Sequence, residues 1–179
     1  MPSLIHQMLL GQYEAALSMF REAMASCAAE QWEKKVANYP VGVVALHTLM
    51  WTDVYLGRSA KEFVSHEFVM EGRGLPFGQP LPEGELPPGL RQSRALEYAD
   101  YCLAKVRRVL AEESEADLAG ESGFGEPFSR AEMHLYNIRH IQHHTGALSA
   151  HVRRLVPEFP EEGMGWIDSG TGRDEGDGG

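Results

Sequence analysis

The chain is poor in cysteine, in basic charge and in long apolar runs, and each shortage closes off a class of function. Its 179 residues hold two cysteines, Cys27 and Cys102. Two thiols cannot build a disulfide framework or a cysteine-rich zinc site, and both are expected reduced, in core or helix-face positions. Acids outnumber bases 26 to 16, giving a formal net charge of -10. The clustered Lys and Arg that neutralise a phosphate backbone are therefore scarce, and no nucleic-acid partner is expected. No stretch reaches the roughly 18 consecutive apolar residues that span a bilayer, so no membrane partner is expected either. The opening MPSLIHQMLLGQYEAAL has no basic start, and His6 and Gln7 break its apolar run, so it does not read as a secretory signal. The expected location is the cytoplasm. There is no internal repeat and no run of strand-like alternation. Zincin His-Glu-x-x-His, di-iron Glu-x-x-His, the Gly-x-Ser-x-Gly elbow and the P-loop are all missing. Gly72 and Gly74 follow no strand and make no dinucleotide fingerprint.

What is present is globular composition, with 43% hydrophobic and 9% aromatic residues in a length that suits one domain. Four long helical patterns stand out. The first covers about Leu4 to Val36, with Ile5, Leu9, Ala16, Phe20, Met24 and Ala28 recurring at spacings of three, four and seven. Pro40 follows it. The second covers Val41 to Leu56 and is apolar nearly all round, so it is expected to be the most buried. A short further helix is expected over Ala60–Val69. Residues Glu71 to Leu90 contain five Gly and five Pro. They read as a long loop, either a lid over a site or a surface excursion. The third helix is expected over Arg91–Glu113. The fourth is expected over Ser129–Val156, where Ser129 and Glu132 have capping-box spacing and Pro157 ends the run. Residues 158–179 carry seven acids against one base. They read as an acidic, Gly-rich tail beyond a domain at 1–157. The expected fold class is all-α, a four-helix bundle.

Histidine is the residue in excess, with eight in the chain. Five lie in the fourth helix: His134, His140, His143, His144 and His151. At 100° and 1.5 Å per residue, His140 and His144 lie about 40° and roughly 6 Å apart, so two imidazoles can meet one ion from a single face. Met133, Ile141, Leu148, Val152 and Leu155 share that side, which turns the pair toward the core. His143 is about 60° away toward Arg139 and Tyr136, and His151 lies about 10 Å beyond His144 along the axis. His134 falls to one flank, and His6 and His66 sit in ordinary amphipathic or loop-adjacent segments. His47, the one histidine of the second helix, is set in VVALHTLMW. Alone it would be a core histidine bonded to a carbonyl. Beside a His-x3-His pair it becomes a third ligand. Three neutral imidazoles leave a divalent ion with open positions, the pattern of a catalytic site, and zinc and nickel both suit them.

With these residues in place the chain resembles the DinB-like (YfiT-like) superfamily of metal-binding four-helix bundles. That family carries one His on its second helix, often shortly before a Trp, and an Asn-His-x-x-x-His-Arg-Gly-Gln element on its fourth. The matching segments are His47-Thr48-Leu49-Met50-Trp51 and Arg139-His140-Ile141-Gln142-His143-His144-Thr145-Gly146-Ala147. Arg139 stands where the family has Asn, and Thr145 and Ala147 stand where it has Arg and Gln. The resemblance covers roughly residues 4 to 156. It implies a divalent metal on His47, His140 and His144. It also implies thiol-dependent S-transferase or metal-dependent hydrolase chemistry on a small-molecule substrate, possible use of a low-molecular-weight thiol as cosubstrate, and a homodimer. Trp51, one turn from His47, would line the pocket. Asn137, one turn before His140, would contact the substrate or hydrogen-bond behind the ligands. No catalytic base is assigned. The same pocket would equally serve a bundle that binds a metal or small ligand without turnover, or a purely structural metal site.

Overall fold

A computed structural model describes residues 3–36, 39–61, 63, 68, 90–125 and 127–155. Among the described residues, six helices and one two-stranded sheet follow in chain order. They are α1 (Leu4–Ala25), α2 (Ala29–Trp32), β1 (Lys35–Val36), β2 (Tyr39–Pro40), α3 (Val41–Tyr55), α4 (Gln92–Glu112), α5 (Glu115–Ala119) and α6 (Arg130–Leu155). The strands pair antiparallel, Lys35 opposite Pro40 and Val36 opposite Tyr39. The four long helices α1, α3, α4 and α6 form an all-α bundle, as the apolar periodicity implies.

Cross-bundle bonds fix the directions. Arg21 meets Asp100, Glu14 meets Arg107 and His6 meets the Glu113 carbonyl, so α1 and α4 run antiparallel. Tyr55 O accepts from Arg130, Thr52 O from Asn137, and His47 faces His140 and His144, so α3 and α6 also run antiparallel. Tyr13 meets His134 and Met19 meets Gln142, so α1 and α6 run parallel. It follows that α3 and α4 run parallel too. Leu56, at the end of α3, and Leu90, beside its start, therefore stand a helix length apart, about 22 Å at 1.5 Å per residue. Gly42, at the start of α3, lies against the Leu90 carbonyl, where a Cβ would stand 2.6 Å from that oxygen. This close approach pins the starts of α3 and α4 together.

Each long helix buries one stripe. In α1 this is Leu9, Tyr13, Ala16, Leu17, Phe20, Ala23 and Met24, and in α4 it is Ala95, Tyr98, Ala99, Cys102, Val106 and Leu110. The α3 helix is apolar on most sides, and its buried Thr48 and Thr52 return their hydroxyls to the carbonyls of Val44 and Leu49's neighbour Thr48, at 2.7 and 2.8 Å. Both cysteines are buried and free. Burial pushes the Cys27 thiol up to about 11 and the Cys102 thiol upward as well, which makes both poor nucleophiles. The expected capping box forms at α6: Ser129 N and Oγ donate to Glu132 Oε2, and Glu132 N donates to Ser129 Oγ.

Several boundaries need correction. The first helix ends at Ala25, not Val36, because Gln92 Nε2 donates to the carbonyls of Met24 and Cys27 and closes its C-terminus from another helix. The remainder forms α2 and β1, so a short two-stranded sheet exists that no alternation announced. Ala60 and Lys61 form a turn. Most of the helix expected over Ala60–Val69, the loop to Gly89, and the tail from 158 lie outside the described residues. Among those described, no helix is long and apolar enough to cross a membrane.

Candidate metal centre

The α3 and α6 helices present opposed faces at four-residue spacing. On α3 these positions are His47, Trp51 and Tyr55; on α6 they are Tyr136, His140 and His144. Because the helices are antiparallel, the histidines meet at one level and the aromatic residues at the next. One nitrogen from each of His47, His140 and His144 lies within 4.8 Å of the others. His47 Nε2 and His140 Nε2 are 3.4 Å apart. Ring centroids are separated by 5.4 Å for His47–His140, 5.1 Å for His47–His144 and 4.7 Å for His140–His144. All three rings are half-buried. Among the described residues no carboxylate or thiolate joins them.

The electrostatics keep these rings neutral. Burial lowers His47 to about 4, with the neighbouring His144 adding to the effect. Burial, then His144, His47 and His143, lowers His140 to about 3. Burial and then His143 lower His144 to about 4. A neutral imidazole keeps the lone pair that a metal needs. The spacing suits one ion as well: two nitrogens about 2.05 Å from a shared tetrahedral centre stand roughly 3.3 Å apart, close to the His47–His140 separation. His140 Nδ1 is buried and has no hydrogen-bond partner among the described residues. The donor set therefore fits a borderline divalent ion such as zinc or nickel.

An aromatic wall flanks the centre. Trp51 lies 6.5 Å from His47 by ring centroid and stacks on Tyr55 at 5.3 Å. Tyr55 in turn meets Tyr136 at 5.4 Å, Phe124 at 5.5 Å and His140 at 6.2 Å. Tyr55 and Tyr136 were not singled out from the sequence. Their signal was available, since each continues the four-residue series that the ligands begin.

Asn137 is fully buried and donates from Nδ2 to Thr52 O at 3.0 Å, tying α6 to α3 one turn from the histidines. Gly146 is exposed, and a Cβ there would meet nothing within 4 Å, so no packing explains the glycine. His143 is exposed, its ring 5.0 Å from His144. His151 is separate from the group, and His66 lies outside the described residues.

Beneath the site runs a buried polar network that sequence reasoning missed. His134, expected at a flank, is fully buried. Its Nε2–H donates to Glu113 Oε2 at 2.8 Å, which leaves Nδ1 to accept from the Tyr13 hydroxyl at 3.0 Å. Arg130, also fully buried, donates to Glu113 Oε1 and to the carbonyls of Tyr55, Leu56 and Gly57, closing the C-terminus of α3. His6 Nε2–H donates to the Glu113 carbonyl at 2.7 Å, and Ser3 Oγ bonds its Nδ1. Burial alone would raise Glu113, but the His134 hydrogen bond and the Arg130 charge outweigh it and hold the carboxyl below its usual range. Burial also lowers His134. Nothing in the spacing of these residues marks the network, because its members come from four separate segments.

Fold and site together define an all-α bundle with a three-histidine centre between its second and last long helices. The sequence model of the DinB superfamily matches residues 12–148, and the chain belongs to that superfamily. No curated protein and no solved structure matches it.

Proposed function

We propose that the chain is a divalent-metal-dependent enzyme of the S-transferase or hydrolase type, acting on a small molecule at His47, His140 and His144. The observation that carries this reading is the convergence of three neutral imidazoles from two helices with no fourth protein ligand among the described residues. When bound, a divalent ion lowers the pKa of a coordinated water or thiol toward neutrality. The protein's own part is positional. Burial keeps the ligands unprotonated at neutral pH. Asn137 and Arg130 hold α3 and α6 in register, and Trp51, Tyr55 and Tyr136 offer an apolar wall that orients a substrate and limits water. In the S-transferase form of this reading the cosubstrate is a low-molecular-weight thiol, and in the hydrolase form it is water. We further propose a homodimer, supported by Leu4, Ile5 and Met8, which stand exposed on α1.

Metal analysis and a conjugation assay test the function. The purified chain should hold about one zinc or nickel ion, and His140→Ala should reduce occupancy by at least about tenfold. The loaded protein should conjugate one of a panel of small thiols to a fluorogenic bimane halide, or hydrolyse one of a panel of esters and amides. Absence of metal, or a fully loaded protein inert in every assay, would sink the enzymatic reading. A stable adduct with an unchanged small molecule would favour a binding module instead.

A further inference from the structure

A cleft of about 470 Å³ opens beside the histidine centre along the outer face of α6, lined by Tyr136, Arg139, His140, Gln142 and His143. One ligand of the centre, His140, therefore also forms part of its wall. Arg139 supplies the cleft's fixed positive charge. Arg21, Arg58, Lys105, Arg107 and Arg130 each meet a carboxylate. Arg139 is exposed and has no hydrogen bond or ion pair among the described residues. In a chain of net charge -10, an uncompensated guanidinium at this place is a local reversal of sign.

We infer that Arg139 recognises an anion in this cleft, so that the small molecule acted on at the histidine centre carries a carboxylate a few bonds from its reacting atom. The inference rests on the function proposed above and names its substrate class. A planar guanidinium fork matches a carboxylate in two parallel hydrogen bonds. One such cation balances a single negative charge, and a doubly charged phosphate would call for more. Arg139 and His140 are successive residues, about 100° apart around the helix axis. One molecule can therefore reach both, with Tyr136 between them as the surface for its apolar body.

The test uses the cobalt(II)-loaded chain, whose near-ultraviolet thiolate charge-transfer band reports thiol binding without turnover. Two probes of similar size are titrated, 3-mercaptopropionate and 2-mercaptoethanol, each into the native protein, Arg139→Gln and Arg139→Lys, with cobalt content measured in every sample. The native protein should bind the carboxylate probe about fivefold more tightly, as an exposed charge pair allows. The ratio should fall to about one in R139Q, recover in part in R139K, and shrink at high salt. Equal affinity for both probes in the native protein, or a ratio unchanged in R139Q, overturns the carboxylate inference while leaving the proposed function intact. Failure to retain cobalt overturns the proposed function and the inference with it, and no band with either probe in the cobalt-loaded chain overturns the S-transferase form of that function together with the inference.

Discussion

His140 carries more of the site than either of its partners. It faces His47 Nε2 at 3.4 Å, shares the cleft with Arg139, touches Tyr55 and has the most strongly lowered pKa of the three ligands. Its role was legible because two facts met in the sequence: a pair four residues apart on an apolar stripe, and a single imidazole set among Val, Leu and Trp elsewhere. Glu113, Arg130 and His134 offered no such coincidence. Only the fold brings them within bonding distance, and each alone reads as a surface residue near a helix end. Their energetic weight is nonetheless large. Glu113→Gln would leave the buried Arg130 charge without its counter-ion and should cost about 3 kcal/mol in urea unfolding at pH 7. Burial of the imidazoles also sets the pH response. His134 and the three centre imidazoles have lowered values in the fold, so the unfolded chain takes up protons first as pH drops below about 6.5. Glu113, also lowered, extends the loss of stability to more acid pH. The metal-free protein should therefore be most stable near neutrality and weaken steadily from about pH 6.5 to 4, and a flat urea midpoint over that range would contradict the buried neutral imidazoles.

At the level of elements, helix existence was readable and helix termination was not. The periodicity gave α3, α4 and α6 to within a residue or two, because each buries a continuous stripe and meets local stop or start chemistry such as the Ser129–Glu132 cap. The end of α1 obeys a tertiary rule instead. The Met24 carbonyl in its last turn and the Cys27 carbonyl just beyond it accept from Gln92, 65 or more residues away, and Trp32 Nε1 donates to Leu90 O beside it. A helical pattern that ran on toward Val36 could not reveal a stop supplied by a distant side chain. Gln92→Ala should lower stability by about 1 kcal/mol, the usual value of a lost buried hydrogen bond, measured by chemical denaturation. A larger backbone response, with faster amide exchange at 24–28 than elsewhere in α1, would mark this cap as the point where the helix is held.

For the whole molecule, the parallel arrangement of α3 and α4 gives a physical reason for the long connection between them. Antiparallel neighbours need a few residues of loop, whereas parallel ones need a return of about the helix length. The Gly- and Pro-rich composition predicts a loop over 71–90, but the distance between the ends of the connection, Leu56 and Leu90, depends on topology. Assembly belongs to the same scale. Leu4 is 72% and Met8 61% exposed, one turn apart on α1. If they form the seam of a dimer, Met8→Glu should shift the mass in light scattering from two chains to one while metal content stays unchanged. An unchanged mass would move the interface elsewhere.

The side-by-side, same-direction course of α1 and α6 has a consequence for the outer ends of these two helices. Leu4 begins near the level of Arg130, and Leu155 ends about 39 Å further along, at the opposite pole of the bundle. A circular permutant of residues 4–155 alone, joining Leu155 to Leu4, must span that distance, which takes roughly 12 fully extended residues. Shorter linkers would tear α1 or α6 from its partner. Donor and acceptor dyes attached at the two ends would in turn sit far enough apart to report bundle opening as a change in energy transfer.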